Sequence, residues 1–120
     1  MSEDLRNIYL APPGECEETI HLLSGDAFRL EAITSRGQAS PSDFWYDQEN
    51  DEWVALLRGS AALEFDNGEI LHLKEGDFLL IEAHGRHRVS MTSNDAVWLA
   101  LHFDKASCDH EIRKVRKSEK

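Results

Sequence analysis

The stretch SAALEFDNGEILHLKEGD, residues 60–77, alternates apolar and polar side chains on either side of Asp66-Asn67-Gly68. Ala61, Leu63 and Phe65 share one face of the first run, and Leu71 and Leu73 share one face of the second. A period of two is the pattern of a half-buried β-strand, and Asp-Asn-Gly between two such runs is a hairpin signal. Upstream, AFRLEAITS (27–35) and EWVALLRG (52–59) are apolar and β-compatible; downstream, FLLIEA (78–83), HRVSMTS (87–93) and AVWLALHF (96–103) follow. KEGD, AHGR and SNDA between them read as turns. Short strands spaced by about 8–12 residues with turn signals between them predict an all-β barrel or sandwich.

The chain has 120 residues, 41% of them hydrophobic and 30% charged, which suits a single globular domain with one core. Its core is expected over 27–104, followed by a polar tail over 105–120. The most loop-like interior segment is SRGQASPSD (35–43), and no repeat or low-complexity segment occurs. Residues 53–57 and 97–101 are apolar on both faces. One face fills the barrel; the other must pack on a second sheet or a second subunit, so a homodimer is expected.

Net charge is −10, and the tail from Lys105 to Lys120 carries +3, leaving −13 on the rest. An acidic body repels a phosphate backbone, so no nucleic-acid partner is expected. No apolar run approaches the roughly 20 residues of a membrane span. The start MSEDLRNIYLAPPGE lacks a basic segment followed by an apolar one, so the expected location is the cytoplasm. Cys16 and Cys108 have no CxxC spacing and are expected to be reduced thiols. Phosphate-binding glycine loops, a Gly-x-Ser-x-Gly elbow and a cysteine placed beside a histidine are all missing.

Glu52 and Gly59 are separated by six residues, with Gly37 well ahead of them, and GDFLLIEAHGRH (76–87) runs from Gly76 to His87. This pair of segments around a hairpin resembles the two motifs of the cupins, with departures at Glu82, where proline is usual, and His84, where glycine is usual. The resemblance spans about residues 35–103 and is closest to small single-domain bacterial cupins. It implies a double-stranded β-helix, or jelly roll, with any site inside the barrel mouth. It does not imply one reaction, since cupins include dioxygenases, sugar-phosphate isomerases and epimerases, decarboxylases, storage proteins and sensor domains.

The first motif usually holds two histidines, and both are absent. With a four-residue spacer before Glu52 their places fall at Trp45 and Asp47; with a three-residue spacer, at Tyr46 and Gln48. Glu52 and His87 keep their motif positions, and Asp47 and Gln48 offer oxygen donors in the gaps. His87, Val89 and Met91 share the more apolar face of their strand, which turns His87 inward. The resulting expectation is a divalent metal held by Glu52, His87 and an oxygen of Asp47 or Gln48, with His102 as a further ligand or a general base. One imidazole with oxygen donors suits zinc, manganese, nickel or iron, without the two-histidine facial triad of iron oxygenases. The alternatives are a metal-free binding or sensory cupin, in which the same residues form a polar cluster, and a sugar isomerase or epimerase using His87 and Tyr46 for proton transfer. The small-molecule ligand, and whether the chain is catalytic, stay open. His84 is expected at the rim and His72 outside. Arg86 and Arg88 are expected in surface ion pairs, or gripping a carboxylate if the rim curls inward; Trp45, Tyr46 and Trp53 are expected in packing or stacked on a ligand.

Overall fold

The computed structural model describes residues 5–10 and 16–104. Eight strands follow one another: β1 (Glu18–Ser24), β2 (Phe28–Thr34), β3 (Asp51–Arg58), β4 (Ala61–Phe65), β5 (Ile70–Leu73), β6 (Phe78–Ile81), β7 (His87–Thr92) and β8 (Val97–Phe103). They form a five-stranded sheet in the order β1-β2-β8-β3-β6 and a three-stranded sheet in the order β5-β4-β7, with every named pairing antiparallel. This is the all-β fold expected from the strand pattern, in the jelly-roll form that the resemblance implied. No helix occurs among the described residues. The terminal tail with Cys108, and residues 1–4 and 11–15, lie outside the described residues. No helix among them is long and apolar enough to cross a membrane.

The Asp66-Asn67-Gly68 signal makes the β4–β5 hairpin. Ala61 pairs with Leu73 and Leu63 with Leu71, so the apolar face read from alternation becomes one wall of the core. Gly68 takes φ +93°, and the Phe65 amide donates to the Glu69 carbonyl at 2.8 Å to close the loop. Val54, Leu56, Ile81, Trp98 and Ala100 supply the facing wall from the larger sheet.

Two features depart from the sequence reading. The barrel begins at Glu18, ahead of the expected start at residue 27, because ETIHLLS forms an edge strand on β2. On β7 the simple alternation fails. Pairing with β4 jumps from Leu63↔Val89 to Ala62↔Met91, so Ser90 is an extra, unpaired residue. Such a bulge reverses the faces beyond it. His87 and Val89 point inward as expected, but Met91 is 40% exposed and Thr92 is buried in its stead.

β7 is the edge of its sheet, and the loop before β3 runs along it. Ser40 and Val89 exchange hydrogen bonds, the Ser40 amide to the Val89 carbonyl at 2.7 Å and the Val89 amide to the Ser40 hydroxyl at 3.1 Å. Tyr46 and His87 exchange two backbone bonds, of 2.7 and 3.2 Å. Arg88 donates to the Ser40 and Pro41 carbonyls and pairs with Glu64, and Thr92 donates to the Gln38 carbonyl. This strap satisfies an edge that would otherwise present bare amides, and it carries Tyr46 and Gln48 to the mouth of the barrel.

Candidate functional site

Antiparallel register sets four side chains in a row across the inner face of the larger sheet. Arg29 on β2 lies opposite His102 on β8, His102 opposite Glu52 on β3, and Glu52 opposite Ile81 on β6. The next inner row places Glu31 beside Ala100 and Val54. From the facing sheet β7 brings His87. These residues line a cavity of about 230 Å³ whose floor is apolar, with Trp98 and Leu63, and whose rim takes Tyr46 and Gln48 from the strap and Glu17 from ahead of β1. The volume lies below the ~300–1,000 Å³ of drug-sized pockets, so the cavity has room for a small molecule and nothing larger.

The histidine tautomers follow from the acceptors around them. His87 Nδ1 lies 2.8 Å from the Gly85 carbonyl, which only accepts, so Nδ1 carries the proton and Nε2 presents a lone pair to the cavity. That lone pair is 3.8 Å from Glu52 Oε1. The other Glu52 oxygen is 3.8 Å from His102 Nε2, which itself lies 3.4 Å from Glu31 Oε1. Glu31 in turn accepts from Arg29 Nε at 2.7 Å. Glu52 makes no hydrogen bond to any described residue, although only 9% of it is exposed.

Burial, and then the charge of Glu31, push the Glu52 carboxyl up to about 7, against a smaller opposing pull from Arg29. Burial lowers His87 below the usual histidine range, with the Gly85 bond opposing. Burial and the Arg29 charge lower His102, with Glu31 opposing. Burial, Glu17 and Glu52 raise the Tyr46 phenol. Near neutral pH the cavity therefore holds a carboxyl poised between its protonated and ionised forms and two neutral imidazoles. The Tyr46 ring stacks on His87 at 5.4 Å and 26°, fixing the imidazole plane.

A profile described as "Cupin domain" matches residues 30–102, more than half of the chain. The chain belongs to the cupin family. Among solved structures, this cupin is 39% identical to a candidate mannose-6-phosphate isomerase from Ralstonia eutropha JMP134, over 83% of this chain and 97% of that one, with a TM-score of 0.78. A cupin superfamily protein from Desulfitobacterium hafniense DCB-2 superposes with a TM-score of 0.68 at 16% identity, covering 80% and 84% of the two chains. An RmlC-like cupin from Shewanella frigidimarina NCIMB 400 does so with a TM-score of 0.65 at 14% identity, covering 78% and 81%. The last two likenesses concern the fold alone. Among curated proteins, none matches the chain.

In this cupin the two vacant histidine positions fall at Tyr46 and Gln48, the three-residue register, since both line the cavity. Glu52, His87 and His102 line it too. Asp47 does not: its neighbours in the strap turn inward, and its carboxylate faces His84 Nδ1 at 2.7 Å, where both side chains are exposed. His72 is exposed, as expected. Arg88 is occupied by Glu64 and the strap, and Arg86 lies over Trp45 with Asp66 at 3.9 Å, so neither reaches the cavity. The arginine at the cavity is Arg29. Trp53 packs on Phe78 outside the barrel. Glu17, Arg29 and Glu31 escaped the sequence reading. Their signal was the alternation of β2, which sets Arg29, Glu31 and Ile33 on one face, but nothing in the sequence identified that face as the inner one.

A divalent ion is commonly held by cupins, and the donor types at this cavity suit one. Their arrangement does not. Among the described residues no three His, Cys, Asp or Glu side chains form a group able to hold a metal. The two oxygens of Glu52 face different imidazoles, and His102 Nε2 points its proton at Glu31, an acceptor, instead of offering a lone pair. His87 Nε2 does present a lone pair to the cavity as placed.

Proposed function

We propose that this cupin binds a small hydroxylated carbonyl compound in the barrel and isomerises it by proton transfer, as aldose–ketose isomerases do. The observation that carries the reading is the pairing of His87 and Glu52. An unprotonated Nε2 and a carboxyl that still holds its proton in part near neutral pH sit 3.8 Å apart, in a cavity sized for a small molecule. Groups so tuned serve as base and acid in one step. His87 Nε2 takes the proton from the carbon next to the carbonyl while the Glu52 carboxyl gives its proton to the carbonyl oxygen, leaving an enediol. Returning a proton to the former carbonyl carbon, as the neighbouring hydroxyl gives one up to Glu52, yields the isomer, with no oxidant or reductant needed. The relative from Ralstonia eutropha, a candidate mannose-6-phosphate isomerase at 39% identity, supports the same class.

Exchange of that carbon-bound proton with solvent deuterium, followed by NMR on hexoses and their derivatives, tests the proposal. The wild type should exchange it. Glu52→Gln and His87→Ala should each slow exchange by about 10²–10⁴-fold, the usual contribution of general acid–base catalysis. No exchange by the wild type on any of them sinks the reading.

The bare Nε2 of His87 favours a second reading, in which zinc, manganese, nickel or iron binds through His87, Glu52 and the Gln48 amide oxygen after Glu52 turns. Elemental analysis of protein purified without added salts decides it. His87→Ala should lose the ion and His72→Ala keep it; equal content in both places the ion elsewhere.

The outer face of the larger sheet supports a homodimer. Leu30, Leu101, Trp53 and Leu80 form one apolar row across four strands, and Ala32, Leu99, Ala55 and Phe78 form the next. Phe78 is 54% exposed at the end of that second row. Covering such a face is what a two-fold interface does. The protein should sediment as a dimer at micromolar concentration, and Leu101→Glu should give monomers. A wild-type monomer under those conditions counts against the interface.

A further inference from the structure

We propose that the cavity selects an amine-bearing ligand, such as an amino sugar, over its neutral and phosphorylated counterparts, with the ammonium group seated between Glu31 and Glu17. The inference rests on the proposed small-molecule site and names the class of molecule that enters it.

Among the described residues, the Glu17 and Glu31 carboxylates and the Glu52 carboxyl line the cavity against a single guanidinium, that of Arg29, and no lysine does. Arg29 is already engaged by Glu31 through its Nε at 2.7 Å. The adjoining outer cleft, of about 400 Å³, shares Arg29 and His102 with the cavity and adds two further carboxylates, Asp26 and Asp104. An anion therefore meets excess negative charge in the cavity and in the cleft beside it, and a chain carrying −10 overall adds to the repulsion. A phosphate ester has one half-occupied arginine to offset that field.

Charge alone does not make a site, but the cavity also holds polar atoms that await a donor. His87 is 5% exposed, and its Nε2 lone pair has no hydrogen-bond partner among the described residues. Glu52 is 9% exposed and likewise has none. Buried acceptors of this kind are costly unless a ligand satisfies them. A hydroxyl satisfies one of them. A primary ammonium carries three donors and a charge, so it serves several acceptors at once and neutralises the carboxylate excess. The Glu52 carboxyl is pushed up first by burial and then by the charge of Glu31, which is therefore felt across the cavity despite its pairing with Arg29.

Calorimetric titration of the full chain with glucosamine, glucose and glucose 6-phosphate tests the proposal. The expected order is amine first, neutral sugar at least ~10-fold weaker, phosphate ester weakest, with the amine preference shrinking as salt rises. Glu31→Gln should lower glucosamine affinity by about tenfold, leave glucose within about twofold, and strengthen glucose 6-phosphate by releasing Arg29. Glu17→Gln, in which the amide oxygen still accepts from Ser35, should move the same way and serves if the first variant fails to fold. Equal binding of glucosamine and glucose, or tighter binding of the phosphate ester, overturns the charge selection while leaving the site itself standing. Binding of none of the three overturns both. Adding zinc chloride alone separates the inorganic source of positive charge: zinc binding that abolishes the glucosamine signal without any amine preference in its absence assigns the carboxylates to a metal and overturns the proposal.

Discussion

Glu52→Gln should leave the protein more stable than wild type above pH 7 and flatten its stability profile between about pH 4.5 and 7. The folded state holds the Glu52 proton up to a pKa of about 7, whereas the unfolded chain releases it near 4.5. Between those values the folded protein binds the extra proton, so stability falls as pH rises through the window. The full contribution is present below the unfolded value and is lost above the folded one, a swing of about 3 kcal/mol at most. Glutamine mimics the neutral carboxyl and does not titrate, so the swing disappears with it. The two histidines act with the opposite sign. Their folded pKa values are lowered, so the unfolded chain binds more protons below about 6.5 and stability falls as pH drops through that range. Wild-type stability should therefore peak on the acid side of neutrality, and the variant should keep only the acid limb. Urea unfolding at about pH 5 and about pH 8 reads this directly through the change in midpoint. An equal effect of the substitution at both pH values would show that Glu52 ionises freely in the fold.

Gly59→Ala should cost about 3 kcal/mol or more, through two effects that add. Gly59 sits at φ +86°, where an L side chain alone costs roughly 1–2 kcal/mol. A Cβ there also overlaps the Ser93 hydroxyl and comes within 3.0 Å of the Ala96 backbone. Ser93 cannot turn aside cheaply. Its oxygen accepts from the Ser60 amide at 3.0 Å and donates to Asp95 at 2.9 Å, and so ties the start of β4 to the loop before β8. Gly68→Ala is the control, since it shares the left-handed backbone at φ +93° but has nothing within 4 Å of the new methyl group. It should cost only the conformational part. The difference between their urea midpoints measures the steric part, and equal losses would mean that the Ser93 loop moves aside freely.

What could be read from the sequence depended on how completely each segment's pattern was set by burial. The β4–β5 hairpin was legible because Ala61, Leu63, Leu71 and Leu73 all face the core and the turn needs its glycine. β1 was not, since ETIHLLS is an edge strand with most side chains half-buried or exposed, which leaves hydrophobicity little to report. Glu52 and His87 were identifiable from motif spacing and strand parity, whereas His102 sits on a strand apolar on both faces, so parity left its side open. The choice between Asp47 and Gln48 was not legible, because parity does not propagate along a loop: only the Tyr46–His87 bridge fixes which strap residues turn inward. Glu31 stayed hidden for a different reason. Its importance arises from lying diagonally across from His102 on the neighbouring strand, a relation between positions 71 residues apart that no local pattern expresses. Met91 was misplaced because a single unpaired residue, Ser90, inverts the order beyond it.

The strap along β7 ties solubility to the binding pocket. With residues 38–48 in place, the outer amides of β7 are satisfied; with them lifted away, the three-stranded sheet presents a naked margin onto which any extended chain can zip. The same movement withdraws Tyr46 and Gln48 from the rim. A nick by a protease in SRGQASPSD would thus abolish recognition and start self-assembly in one event, and a ligand gripping Tyr46 or Gln48 protects against both. A ligand that held Tyr46 and Gln48 in place would also keep the β7 margin covered, independent of any reaction in the barrel.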